Sequence, residues 1–199
     1  MLNIYLLRHG ETAYNADGNR YCGQTDIGLT EKGLIQAQEI GQSLKDIHFS
    51  AVYSSPLERA YMTARYASSN ANTIIKDDRL IEMDFGAWEG KTREEFMAEA
   101  PALWERWDQA PDVNRAGGTG NTATEIVKRV DNFFTDVSAQ HPQGNVLVVA
   151  HNTVNRLYLA YKLGMPLRNY RRIVQENSAI TLFALDKLGV LSLLKLNTH

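Results

Sequence analysis

The chain has 199 residues, a formal net charge of −2, 44% hydrophobic and 22% charged residues, and one cysteine. That balance describes a globular domain with room for a sizeable core, and it offers neither a basic face for nucleic acid nor an 18-residue apolar run for a membrane span. The lone Cys22 excludes an internal disulfide and fits a reducing compartment; with no basic and apolar leader at the N-terminus, the expected location is cytoplasmic.

Leu2 to Leu7 reads as a buried strand, short and apolar, with a β-branched and an aromatic residue. It delivers Arg8 and His9 to a turn at Gly10. Residues 13–29 read as loop, because Asn15, Asp17-Gly18-Asn19, Gly23 and Gly28 break any periodicity. Thr30 is the expected N-cap of a helix whose apolar stripe is Leu34, Ile35, Ala37, Ile40, Gly41 and Leu44. Ala51 to Ser54 gives a second strand. Ser55 is then an expected N-cap with Pro56 at the first helical position, and the helix to Ala67 carries Arg59 in its first turn. Thr73 to Lys76 reads as a third strand, and 79–90 as irregular, aromatic and glycine-marked.

Thr92 to Ala100 is predicted helical, broken at Pro101, with a second short helix around Leu103, Trp104 and Trp107. Gln109 to Asn121, with Pro111 and three glycines, reads as a mobile loop. A long amphipathic helix follows from Thr122 to Gln140, with Ile126, Val127, Val130, Phe133, Phe134 and Val137 inward. Asn145 to Ala150 is the most clearly buried strand, ending in His151-Asn152 at the start of another helix. Ile180–Leu185 and Val190–Leu196 form the arms of a closing hairpin. The alternation argues an α/β domain, 1–199, with a largely parallel or mixed sheet covered on both faces and residues 83–121 as a lid insertion over the strand ends.

Three strand exits align in this reading. The first brings Arg8 and His9, the second Arg59, and the buried strand at 145–150 brings His151; Glu82 follows the third strand. Ligands of open α/β sheets bind outside the carboxyl ends of the strands. Arginine forks suit phosphate oxygens, helix N-termini offer free N–H groups to anions, and a histidine beside a glutamate makes a nucleophile and acid pair.

With its ordered pieces Leu7-Arg8-His9-Gly10-Glu11-Thr12, Asn15, Ser55-Pro56-Leu57-Glu58-Arg59-Ala60, Leu80-Ile81-Glu82 with Phe85-Gly86-Ala87-Trp88-Glu89-Gly90, and Val148-Val149-Ala150-His151, the chain resembles the histidine phosphatase superfamily, also called phosphoglycerate mutase-like. The pieces spread over most of the chain. The resemblance implies a three-layer α/β/α sandwich around a mostly parallel mixed sheet. It also implies a phosphohistidine on His9, phosphoryl contacts from Arg8, Arg59, His151, Asn15 and the backbone N–H of Asn152, proton donation by Glu82, and no metal or other cofactor. Cys22 and Gly23 fall where the family meets the leaving group. The other ring nitrogen of His9 is expected to donate to a backbone carbonyl, and Arg8 and Arg59 to oppose its protonation.

Two departures stand out. Ala150-His151-Asn152 replaces the usual glycine after the second histidine, and Gly120-Asn121-Thr122 replaces a common Gly-Glu-Ser. The segment 84–92 looks like the phosphatase branch, which includes broad-specificity and α-ribazole phosphatases. The expected partner is therefore a small phosphorylated metabolite, not nucleic acid or membrane. A mutase needs cations for a second anion, and Lys91, Arg93, Arg106 and Arg115 remain available, so mutase transfer stays an alternative, as does an inactive phosphate-binding module. Asp84 and Glu89 compete with Glu82 for the acid role. Cys22 reads as a pocket-wall or core residue, the three tryptophans as lid packing, and His48, His141 and His199 as surface residues. The terminal hairpin offers an edge through which a homodimer could pair.

Overall fold

The computed structural model describes residues 1–69 and 73–199. Six strands, β1 (Leu2–Arg8), β2 (Ala51–Ser54), β3 (Ile75–Lys76), β4 (Gly144–Ala150), β5 (Ile180–Leu185) and β6 (Leu191–Thr198), form one sheet in the order β3-β2-β4-β1-β5-β6. β1 to β4 run parallel, β5 lies antiparallel beside β1, and β6 antiparallel beside β5. β1 is therefore interior, with Leu6 opposite Val148 and Arg8 opposite Ala150.

The described residues form seven α-helices: α1 (Ala13–Ala16), α2 (Glu31–Leu44), α3 (Glu58–Ala67), α4 (Arg93–Glu99), α5 (Pro101–Gln109), α6 (Ala123–Gln140) and α7 (Asn152–Lys162). Strand side chains alternate between two apolar clusters. Leu7, Leu147 and Val149 pack with Ile40 and Leu44 of α2 and Ala60 and Ala64 of α3. Leu2, Ile4, Leu6, Val146 and Val148 pack with the aromatic and branched face of α6 and with Val154, Leu157 and Tyr158 of α7. Both faces are covered, so the sandwich has three layers, as parallel strands buried on both sides require. No helix among the described residues is long and apolar enough to cross a membrane.

Several local expectations change. Residues 13–29 are not all loop: Thr12 caps α1 through a capping box with Asn15. The helix N-cap after β2 is Leu57, not Ser55, and Pro56 precedes the helix. α2 buries Gly33, Ala37, Ile40, Gly41 and Leu44, whereas Ile35 is 54% exposed. The two glycines choose that face. A Cβ on Gly33 would lie 2.1 Å from the Glu11 carbonyl, and one on Gly41 2.4 Å from that of Tyr66.

Residues 109–121 are tied down rather than a mobile loop. Ala116 N–H donates to the Asn121 carbonyl (3.0 Å), and Asn121 N–H to that of Asp84 (2.9 Å). Gly117, at φ +56°, and Gly120 allow this approach, since a Cβ on either would sit 2.1 Å from the carbonyl of Phe85 or Asp84. Trp88, Phe96, Trp104 and Trp107 belong to the same apolar core as α6 and α7, with Trp88 stacked on Phe96 at 4.7 Å between centroids.

Candidate active site

At the carboxyl ends of β1 and β4 lies a cavity of about 200 Å³, whose walls include Arg8, His9, Asn15, Glu82, Asn152 and Arg156. His9 leaves β1 with its backbone N–H on the Ala150 carbonyl (3.1 Å), so the end of β4 fixes its position. Its Nδ1 lies 2.7 Å from the Gly10 carbonyl, which can only accept. Nδ1 therefore carries the proton and Nε2 the lone pair. Burial first, then the charges of Arg59 and Arg8, holds the His9 pKa well below the ordinary histidine value. The ring is a neutral base with one free nitrogen.

Three buried nitrogens beside it have no partner among the described residues: Arg8 Nε, Arg59 Nε and His151 Nδ1. Arg8 directs Nη1 to the Gln175 carbonyl at 2.9 Å, and burial brings its pKa down to about 10. Arg59 is wholly buried under the 22–25 loop, with Nη1 on the Thr25 carbonyl (2.8 Å) and Nη2 on that of Gly23 (2.7 Å). His151 stands at the N-cap of α7, with its ring centroid 5.2 Å from that of His9. Ser55, freed from the capping role expected of it, places Oγ 2.8 Å from His151 Nε2. Ser55 Oγ accepts the Leu57 N–H, and Nε2 is the one acceptor that the described residues offer its own proton; with that proton on Nε2, His151 carries its hydrogen on Nδ1 as a donor. An unmet buried donor costs about 1–3 kcal/mol, so three together suit a guest with several acceptor oxygens.

Glu82 sits against the N-terminus of α7. Its Oε2 accepts the Thr153 N–H (3.1 Å), and its Oε1 those of Met83 (2.8 Å) and Val154 (3.3 Å). Burial outweighs these bonds and raises its pKa. It is the carboxyl group of the cavity wall. Asp84 and Glu89 are engaged elsewhere, Asp84 with the Gly86 N–H and Glu89 with Gly23 and Thr25. Asn15 lines the cavity with its Oδ1 held by Thr12 and Asn177, which keeps its amide NH2 as the group it can offer.

Other expectations separate here. Cys22 lines the cavity, but burial pushes its thiol up to about 11, so it is no nucleophile. Gly23 does not offer a free backbone donor, because Glu89 takes its N–H at 2.9 Å and Arg59 its carbonyl. Asn121 accepts the Asp84 N–H at 3.0 Å, so it braces the segment after Glu82. Of the cations considered for a second anion, Lys91 pairs with Glu99, Arg115 with Glu125, and Arg93 lies over Trp104.

The sequence reading missed the supports. Asn155 bridges the Leu7 carbonyl (3.1 Å) and Gln175 Oε1 (3.0 Å). Asn177 holds the His9 carbonyl at 3.0 Å. Arg129 of α6 reaches the carbonyls of Arg79 and Ile81, both at 2.5 Å, and so fixes the approach to Glu82. Arg156 and Arg171 also escaped notice, although the i, i+4 spacing of Asn152 and Arg156 put them on one helix face. A larger cavity of about 600 Å³ opens at the other end of the sheet, where Lys162 pairs with Asp131.

Comparison with known proteins finds the same arrangement of chain. The family model described as histidine phosphatase superfamily (branch 1) matches residues 4–198. Phosphoserine phosphatase 1 of Hydrogenobacter thermophilus is 33% identical over 188 residues, covering 94% of this chain and 88% of that protein. The adenosylcobalamin/α-ribazole phosphatase of Escherichia coli is 36% identical over 170 residues, covering 83% and 81%. The crystal structure of a phosphoserine phosphatase from Entamoeba histolytica in complex with 3-phosphoglyceric acid is similar with a TM-score of 0.90. Its identity is 29%, and the match covers 100% of this chain and 98% of that one.

Proposed function

The chain belongs to the histidine phosphatase superfamily, branch 1, and from that premise we propose that it hydrolyses a small phosphomonoester through a phosphohistidine on His9. The observation that carries this reading is the neutral, buried His9, fixed on Gly10 and flanked by the three unpartnered donors of Arg8, Arg59 and His151.

In the first step His9 Nε2 forms a bond to phosphorus while the ester P–O bond breaks. The Glu82 carboxyl gives its proton to the departing oxygen. The transferring group spreads charge over three oxygens, and Arg8, Arg59, the His151 Nδ1–H and the Asn15 amide supply donors for them. In the second step the Glu82 carboxylate takes a proton from water. The resulting oxygen attacks phosphorus, the P–N bond breaks, and inorganic phosphate leaves with His9 again neutral. Glu82 suits both steps because burial raises its pKa while three backbone N–H groups still stabilise the anion. Residues 83–121, which supply Phe85 to the cavity wall, act as its cover. A single thiol and a metabolite substrate fit a cytoplasmic setting.

A phosphatase is favoured over a mutase by the likeness to named phosphatases, and because Met83, directly after Glu82, is buried in the core and adds no cation there. The test is hydrolysis of p-nitrophenyl phosphate by purified protein with chelator present. Turnover with phosphate trapped on the wild type, and loss of both in His9→Ala, is the expected result. Interconversion of 2- and 3-phosphoglycerate with little phosphate release would replace this reading by the mutase. Folded wild-type protein that turns over no phosphomonoester would replace it by a binding module.

A further inference from the structure

Glu89 is a half-buried carboxylate that neither chemical step uses. It belongs to the Trp88-Glu89-Gly90 run and spends both oxygens on one short loop. Its Oε1 accepts the Gly23 N–H (2.9 Å), the Thr25 hydroxyl (2.7 Å) and the Thr25 N–H (3.4 Å), and its Oε2 the Gly23 N–H at 3.0 Å. The neighbouring backbone is stitched to the same stretch. Gly90 N–H donates to the Tyr21 carbonyl and Tyr21 N–H to that of Lys91, both at 2.9 Å. Position 23 requires glycine for this approach, since a Cβ there would stand 2.4 Å from Glu89 Oε2 and 2.6 Å from the Met83 carbonyl.

The other side of the loop grips Arg59. With their N–H groups turned to Glu89, Gly23 and Thr25 turn their carbonyls to the guanidinium. Thr25 accepts from Nη1 (2.8 Å), and Gly23 (2.7 Å) and Cys22 (3.4 Å) from Nη2. These bonds use both hydrogens of Nη2 and one of Nη1. The Nε–H, without a partner among the described residues, and the second Nη1 hydrogen are what Arg59 can give an anion. Asp26 anchors the end of the loop, its Oδ1 accepting the Glu58 N–H at 2.7 Å, one residue before Arg59 on α3. Among the described residues no carboxylate pairs with Arg59 itself. A direct ion pair would compete with phosphate for the guanidinium fork. A carboxylate acting through loop carbonyls fixes the plane of the fork and leaves its charge for the guest.

We propose that Glu89 is a positioning residue for the phosphoryl pocket: by clamping the 22–25 loop it orients the guanidinium of Arg59, so that segment 83–121 builds the pocket as well as covering it. The task given to Arg59 rests on the phosphatase reading of the same cavity.

Two double-mutant cycles test the clamp, with kcat and KM measured on p-nitrophenyl phosphate. Glu89→Gln lowers kcat by about tenfold and leaves KM within about threefold, because the fork matters most as charge develops on the transferring oxygens. In an Arg59→Lys background, where the fork is already gone, the same substitution costs less than about twofold, whereas in Arg8→Lys it keeps its whole effect. Thr25→Val, which removes the hydroxyl from Glu89, costs about threefold, and Thr25→Ser recovers that loss. Equal losses in the Arg59→Lys and Arg8→Lys backgrounds overturn the proposal. So does a Glu89→Gln protein within about twofold of the wild type. Should Arg59→Lys fail to fold by circular dichroism, the Thr25 pair decides, and equal rates for the valine and serine variants overturn the clamp. If folded wild-type protein turns over no phosphomonoester, the phosphatase reading fails separately. Calorimetric binding of inorganic phosphate then decides the clamp: Glu89→Gln weakens it about tenfold where Arg59 is intact, and an unchanged affinity overturns the proposal.

Discussion

Two histidines and two arginines share one buried space, and burial together with the arginine charges sets the charge of the histidines. Burial first, and then the positive charges beside them, holds both pKa values well below the ordinary histidine value, so His9 and His151 stay uncharged. Glu82 is shifted the other way by its own burial. The pair therefore has a base that is free in mild acid and an acid that keeps its proton above the usual carboxyl range. For alkyl phosphates, whose leaving oxygen needs a proton, the rate falls as pH rises through the raised pKa of Glu82. Glu82→Gln should slow such substrates by about 10²–10⁴-fold, the usual weight of general acid catalysis, and abolish that fall. Activated aryl phosphates should lose far less in the phosphorylation step. Equal losses on both, read from single-turnover rates across pH, would remove Glu82 from the role. Arg8, His9, His151 and Glu82 were legible because each follows a strand exit. Arg171 and Asn177 were not, because the 163–178 segment carries no periodicity and its residues reach the cavity only through tertiary packing; Arg156, on α7, was signalled only by its spacing from Asn152.

Periodicity and caps located most elements to within a residue or two. Thr30, Thr92 and Thr122 each cap a helix through the side chain, and the residues three places after Thr92 and Thr122 complete capping boxes. Hydrophobic counting placed Ala37, Ile40, Gly41 and Leu44 of α2 inward but counted exposed Ile35 and missed Gly33, since backbone contact there depends on having no side chain at all. Gly33 meets the Glu11 carbonyl, and Gly10 in turn could not carry a Cβ within 2.5 Å of the Gly33 carbonyl. This contact seats the turn that holds the His9 ring. In an ordinary helix interior Gly→Ala stabilises by about 0.5–1 kcal/mol. Gly33→Ala should do the reverse, destabilising by about 1–3 kcal/mol as overpacking does, with kcat falling as the Gly10 carbonyl shifts from His9 Nδ1. Thermal melts and steady-state rates check this together, and a raised Tm with unchanged kcat would contradict it. Residues 109–121 were misread for the same reason, since glycines placed for close approach look like glycines placed for freedom.

At the scale of the molecule the sheet, its two helical layers and the segment 83–121 share apolar contacts. All three tryptophans lie in that segment, and all are buried in the core that α6 and α7 build. Unfolding should accordingly be one transition. Tryptophan emission and far-ultraviolet circular dichroism should give the same denaturant midpoint, whereas an independently melting cover would lower the fluorescence midpoint. The largely parallel or mixed sheet was readable from the alternation of elements, but the order of its strands was not, because the neighbours of β1 come from distant chain. Arg8 takes its carbonyl from Gln175, 167 residues later, and Asn3 bonds to Asn145, 142 residues later. The residues that open the chain are thus finished by residues near its end. At ribosomal speeds of roughly 5–20 residues per second, His9 waits on the order of ten seconds before β4, Asn155 and Gln175 exist to set it. A nascent chain of this protein therefore carries the His9 ring in solvent, outside the burial and the arginine charges that lower its pKa, until Asn155 and Gln175 have been made.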